Sequence, residues 1–147
     1  MPTLAIDIGG TKTSAALIDE DNDDAFLEHT TWTSPPTAED AIAQILTTCT
    51  PWAQHAINAG VSFGGQFDFP TQTCIRSMHT DGWAGVELSR RLQQAWSIDV
   101  ITDNDANVAA LGEYQAASKD QRDPLLYVTV STGVGAAIIV NGMPLRG

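Results

Sequence analysis

Three short stretches of the chain place glycines and carboxylates where a phosphoryl group can be handled. Asp7-Ile8-Gly9-Gly10-Thr11-Lys12 lies between two apolar runs. Its glycines let backbone amides face an anion with no Cβ in the way. Ser131-Thr132-Gly133-Val134-Gly135 occupies the same setting between two later apolar runs, a weak internal repeat of strand, glycine turn and strand. Two such cradles fit one nucleotide. Asp7, just before the first turn, is placed to hold a magnesium ion against phosphates, directly or through water, and Lys12 adds positive charge. Asp103-Asn104-Asp105-Ala106-Asn107 lies where a strand hands over to a helix, the end of an α/β sheet at which ligands commonly bind. Asp105 there is a candidate general base, taking the proton of an attacking hydroxyl as a γ-phosphoryl group moves in line. Asn104 offers both a donor and an acceptor, which suits a sugar hydroxyl.

Each motif alone also has a plainer reading. Gly-Gly and Thr-Gly serve as hairpin turns, and Asn104 or Asp105 serves as a helix cap. Capping and catalysis can coexist. Neither turn is a Walker loop, because Gly-x-x-x-x-Gly-Lys-Ser/Thr is absent, and no Gly-x-Gly-x-x-Gly follows the first strand. His79 reads as a surface or packed histidine rather than a ligand.

The elements that position these residues are legible from periodicity. Thr3 to Ile8 and Thr13 to Ile18 form two strands joined by the glycine turn, and a third strand is expected near Phe26 to Trp32. The acidic run 19–24 between them reads as a solvated loop, since the Gly and distal Glu of a calcium loop are missing. Thr37 with Asp40 gives a capping box for a helix whose apolar positions run from Ala38 through Ile42 and Ile45 to Cys49, with Pro51 as its stop. A buried strand is expected over Ile57 to Phe63, and short strands around Phe67 to Phe69 and Cys74 to Ser77. Leu88, Leu92 and Trp96 suit a second helix and Val100 to Thr102 a strand. A third helix is expected over Ala106 to Ala117, with Val108, Leu111 and Tyr114 facing the core. Leu125 to Val130 and Ala136 to Val140 close the chain as strands, with no helix after them to cover the pair. That order implies an α/β layered domain with a mixed sheet.

The chain has 147 residues, 43% of them hydrophobic, enough for one ordinary domain with its own core. Its net charge of −11 disfavours nucleic-acid and anionic membrane surfaces, and makes backbone amides and a divalent cation the means of holding ATP. There is no apolar run of about twenty residues and no basic, apolar leader, so a soluble cytoplasmic protein is expected. Cys49 and Cys74 lack metal or redox spacing and read as small buried hydrophobes or free thiols.

Taken together, Asp7 to Lys12, Gly60-Val61-Ser62-Phe63-Gly64-Gly65-Gln66-Phe67-Asp68, Gly82-Trp83, Asn104-Asp105-Ala106-Asn107 through Gly112-Glu113, and Ser131 to Gly135 resemble the ROK family of sugar kinases in order and approximate spacing. The resemblance spans nearly the whole chain and includes glucokinase-like and N-acetylmannosamine-kinase-like members. It implies an actin-like, hexokinase-type ATPase fold, with a ribonuclease-H-like amino-terminal lobe at 1–122 and the first hairpin of a second lobe at 123–147. It further implies ATP and magnesium in a cleft, and phosphorylation of a hexose or N-acetylhexosamine. Asp105 matches the family's base and Asn104 a sugar contact, while Gly64, Gly65 and Ser77 lie in segments lining the sugar pocket. Asp7, Gly9, Gly10, Thr11, Lys12, Thr132 and Gly133 fall in the nucleotide-binding turns, with Asp7 on magnesium through the phosphates.

Gly64-Gly65-Gln66 stands where many members carry a Pro-Gly pair and a following Pro, a more pliant sugar-side loop. A zinc site and the adenine pocket would lie in sequence beyond residue 147, so the 147 residues alone are expected to be inactive. Full-length relatives dimerise, and a homodimer is expected. The family also includes sugar-sensing transcriptional regulators, which place a helix-turn-helix region before these lobes. Here the first strand follows Met1 almost at once and the charge is acidic, so DNA binding is disfavoured. A noncatalytic assembly module is the remaining alternative, because the closing strands would leave apolar faces uncovered.

Overall fold

The computed structural model describes residues 1–19, 21, 22, 25–77, 79–117, 124–130 and 133–146. Alternating apolar residues make β1 (Pro2–Ile8) and β2 (Lys12–Asp19) an antiparallel hairpin, and β3 (Ala25–Thr33) pairs antiparallel with β2. β4 (Asn58–Phe63) lies parallel to β1, with Asp7 opposite Ser62, and β7 (Asp99–Asn104) completes a mixed sheet of order β3-β2-β1-β4-β7. β5 (Gly65–Asp68) and β6 (Thr73–Ser77) form a separate two-stranded ribbon directly after β4.

Leu4, Ile6 and Ile8 of β1 and Ala59, Val61 and Phe63 of β4 bury one face of the sheet. They share a core with the apolar stripes of α1 (Ala38–Ala53) and α2 (Leu88–Trp96). Fully burying each Leu, Ile or Val contributes about 1.5–3 kcal/mol. α1 begins with Thr37 as N-cap, and Asp40 returns its bond to the cap hydroxyl rather than to the cap N–H that a capping box uses. The Asp40 N–H donates to Thr37 Oγ1 at 3.2 Å, while that hydroxyl donates to Asp40 Oδ2 at 2.7 Å.

Pro51 does not stop α1, which runs on to Ala53. In the last turn proline removes only one N–H, and buried Ala53 with half-buried Trp52 holds that turn against the core.

Compact packing divides the chain into Met1–Asp103 and Asn104–Gly147. The boundary expected at 122/123 falls among residues 118–123, outside the described residues. In the second unit α3 (Asp105–Ala116) packs on β8 (Leu125–Val130) and β9 (Val134–Val140). The strand pair is therefore covered on one face by the helix before it, where the sequence reading saw no cover. Ala106 and Ala110 meet Ala137 and Ile139, with Leu111, Tyr114, Leu125 and Tyr127 around them. Val108 instead points outward and is 37% exposed, because a residue two positions from Ala106 lies on the opposite side of a helix.

A short β10 (Met143–Pro144) was not expected and pairs with β9. Its turn, Asn141-Gly142, carries φ of 51° and 79°. Asn-Gly is the sequence signal for such a hairpin. Among the described residues no helix is long and apolar enough to cross a membrane.

Candidate active site

In Met1–Asp103 the candidate residues collect at the carboxyl ends of β1 and β4. The parallel register sets Asp7 beside Ser62, whose Oγ donates to Asp7 Oδ1 at 2.7 Å. Asp7 is exposed, and its second carboxylate oxygen has no hydrogen bond among the described residues. Immediately after it the Gly9 N–H donates to the Lys12 carbonyl at 3.0 Å, closing the turn. Ser34 braces the turn from β3's end, donating its hydroxyl to Gly9 O at 2.6 Å and its N–H to Thr11 O at 3.0 Å. Since that hydroxyl proton is engaged, the 2.9 Å contact with Thr13 Oγ1 has threonine as donor. The turn's carbonyls thus point into the protein, and exposed Thr11 and Lys12 mark its outer side.

The segments holding Gly64, Gly65 and Ser77 reach the same end of the sheet. Gly64 donates its N–H to the Ile8 carbonyl at 2.8 Å, and Gly65 pairs with Ser77 across the β5–β6 ribbon. The His79 N–H donates to Ser77 Oγ at 3.3 Å, and the His79 ring lies so close over Gly10 that a Cβ there would collide with it. A side chain at position 10 would therefore force the turn or the exposed His79 ring to shift. Sequence reasoning set His79 aside and missed Ser34 and Ser62. Ser62 lies within the quoted Gly60 to Asp68 stretch, but only contact across strands reveals the partner of either serine.

In Asn104–Gly147 a second group assembles at the start of α3. Asn104 is the helix N-cap, its Oδ1 accepting from the Ala106 N–H at 3.0 Å. Asp105 Oδ1 accepts from that same N–H at 2.8 Å and from Asn104 Nδ2 at 2.9 Å. Both hydrogen bonds fall on one oxygen of an exposed carboxylate, and Oδ2 has none among the described residues. The second glycine corner lies against the same helix start. A Cβ on Gly135 would stand in ordinary contact with the Ala106 methyl at 3.5 Å and 3.1 Å from Thr129 Cγ2, so the threonine methyl would have to yield slightly. Gly133 is exposed, whereas Thr132 lies outside the described residues.

The profile of the ROK family matches residues 3–147. The chain belongs to the ROK family. An N-acetylmannosamine kinase of Shigella boydii is 35% identical over 150 aligned positions, covering 100% of this chain and 50% of that protein. Among solved structures, a ROK family glucokinase from Streptomyces griseus in complex with glucose and AMPPNP superposes with a TM-score of 0.85 at 30% identity. It covers 100% of this chain and 47% of its own. A ROK family transcriptional regulator, homologous to the E. coli MLC protein, superposes with a TM-score of 0.86 but only 18% identity. The match covers 99% of this chain and 38% of the regulator, and that likeness is one of fold alone.

This ROK chain spans about half the length of the curated relatives it matches. Its fold is the actin-like, hexokinase-type ATPase fold, with the mixed sheet of the amino-terminal lobe. Among the described residues no three His, Cys, Asp or Glu side chains gather as a metal cage. Magnesium asks for less, one or two carboxylates with phosphates and water completing its shell. The free oxygen of Asp7 beside the glycine turn fits that demand.

Proposed function

We propose that the protein transfers the γ-phosphoryl group of ATP to a hydroxyl of a hexose or an N-acetylhexosamine, with Asp105 as general base. The observation that carries this reading is the division of labour on one carboxylate. Oδ1 of Asp105 is fixed by Asn104 and the α3 amide, and Oδ2 is left open to a hydroxyl. Oδ2 takes the proton, the sugar oxygen forms its bond to the γ-phosphorus, and the bond from that phosphorus to the β-γ bridging oxygen breaks to leave ADP. Family membership and a 35% identical sugar kinase support the reaction class.

The amides of Gly10, Thr11, Thr132 and Gly133 are proposed to receive phosphate oxygens, with Lys12 adding charge and Gly9, whose N–H closes the turn onto the Lys12 carbonyl, shaping the nucleotide-binding turn. Asp7, its other oxygen fixed by Ser62, is proposed to hold magnesium through the phosphates. When bound, that ion neutralises charge on the phosphates being separated. Asn104, Gly64, Gly65 and Ser77 are proposed sugar contacts. Asn104 presents both an amide donor and an amide acceptor at the start of α3, the pair of groups that suits a sugar hydroxyl.

The activity is that of the whole protein, cytoplasmic and homodimeric, and the 147 residues by themselves are proposed to be inactive. The test is a panel assay of the full-length protein with ATP and magnesium against glucose, N-acetylmannosamine and N-acetylglucosamine, with Asp105→Asn as control. Turnover on at least one sugar, lost in that variant, is expected. A folded full-length protein that phosphorylates none of them refutes the proposal.

A further inference from the structure

Among the described residues the outer edge of β7 is not paired with another strand, since β7 ends the five-stranded sheet. A side chain takes the strand's place. The Thr102 N–H donates to Gln72 Oε1 at 2.9 Å, and Gln72 Nε2 donates back to the Thr102 carbonyl at 3.2 Å. A glutamine amide thereby makes the two hydrogen bonds that a neighbouring peptide would make. Nε2 also donates to the Phe69 carbonyl at 2.9 Å, and Ser89 Oγ donates to Oε1 at 2.8 Å. Two donors meet the oxygen and two carbonyls meet the nitrogen, so one amide orientation satisfies all four contacts. Because the Ser89 proton is engaged, Thr102 Oγ1 is the donor in its 2.8 Å contact with Ser89 Oγ. The network is buried, with Thr102 0% and Ser89 2% exposed.

Gln72 reaches this position only by adopting a φ of 54°, a left-handed conformation that costs a residue with a Cβ about 1 kcal/mol or more. Nothing about a turn between β5 and β6 requires glutamine. Glycine would take that φ without strain, so the side chain is what the position uses. Its peptide partner, Thr102, stands two positions before Asn104 and three before Asp105.

We propose that Gln72 is a positioning residue for Asp105. Its amide pins the Thr102 peptide at the free edge of β7 and so fixes the point from which Asn104 and Asp105 leave the strand. The functional half of this inference rests on the kinase reading given above. A base displaced by a fraction of an ångström still binds both substrates but meets the hydroxyl badly, so the loss falls on kcat rather than KM.

The test uses the full-length protein with Gln72→Gly, which keeps the turn's backbone conformation unstrained while deleting the amide, alongside Gln72→Glu, which keeps the shape and loses both Nε2 donations. Amide hydrogen exchange is read at Ala106, whose N–H closes the Asn104 and Asp105 contacts, and at Ile45 in the α1 core as a reference for global stability. Both variants are expected to lower kcat by roughly tenfold or more, with KM for ATP and sugar changed less than about threefold. Exchange at Ala106 is expected to quicken by roughly tenfold relative to Ile45. Unchanged relative exchange at Ala106, or faster exchange with undiminished kcat, overturns the proposal. If the unsubstituted protein shows no sugar-dependent turnover, the kinase reading falls on its own account, and exchange at Ala106 alone decides the positioning.

Discussion

Asn104 Nδ2 donates to Asp105 Oδ1 at 2.9 Å, so the residue that caps α3 also holds the carboxylate beside it in place. Replacing Asp105 with Asn keeps the shape of this arrangement and removes the carboxylate proposed to accept the proton. In the full-length protein, Asp105→Asn is expected to lower kcat by about 10²–10⁴-fold with a melting temperature close to the parent's. Asn104→Ala removes the cap as well as the brace, and is expected to cost about 1 kcal/mol of stability together with a loss of turnover. Equal kcat for Asp105→Asn and the parent sinks the assignment of the base.

The two glycine corners are expected to respond differently to a methyl group. Gly10→Ala drives a Cβ into the His79 ring, so the turn or the histidine must shift. Gly133 has open space within 4 Å among the described residues, so Gly133→Ala meets no clash with them. Thermal unfolding is expected to show Gly10→Ala destabilised by about 1–3 kcal/mol and Gly133→Ala within about 1 kcal/mol of the parent. A double variant, Gly10→Ala with His79→Ala, should recover part of the loss. Failure of that rescue would show that His79 is not what excludes the side chain.

What the sequence made legible follows from how local each signal is. The strand-turn-strand at Asp7 to Lys12, the helix N-cap at Thr37 and the apolar stripe of α1 depend on neighbours within a few positions, and each appears where expected. Pairings between distant segments leave no such trace. Ser62 on Asp7, Ser34 on Gly9, His79 on Gly10 and Gln72 on Thr102 are set by sheet order and by the return of the β5–β6 ribbon. The outward turn of Val108 was missed because helix phase in α3 is set by small residues, Ala106 and Ala110, which a search for large apolar residues passes over.

Both cysteines are buried in the first unit's core, and burial pushes each thiol up to about 12 from the ordinary value near 9. Desolvation disfavours the thiolate, so the folded state keeps its protons where the unfolded chain has lost them. Stability from this source is complete below about pH 9 and falls as the pH rises towards 12. Cys49 and Cys74 are expected to resist a thiol-specific chromogenic reagent at pH 8 and to react together once denaturant unfolds the unit. Rapid labelling of either in the native protein contradicts their burial.

The last expectation concerns the face of β8 and β9 turned away from α3. Leu126 pairs with Ile138, Val128 with Ala136 and Val130 with Val134, and all six are exposed, Leu126 by 66% and Val130 by 76%. Cross-strand apolar pairs of this kind form a continuous patch, and no charge or proline in Leu125–Val130 guards the strand against pairing with another chain. The 147-residue chain taken alone is therefore expected to self-associate in a concentration-dependent way by sedimentation. Val128→Lys and Ile138→Lys place a charge in the middle of the ladder without touching the side packed on α3. They should shift the chain towards monomer with an unchanged circular dichroism spectrum. A parent chain that sediments as a monomer at every concentration and binds no hydrophobic dye would mean that this face is not sticky, and the case for assembly through it would be lost.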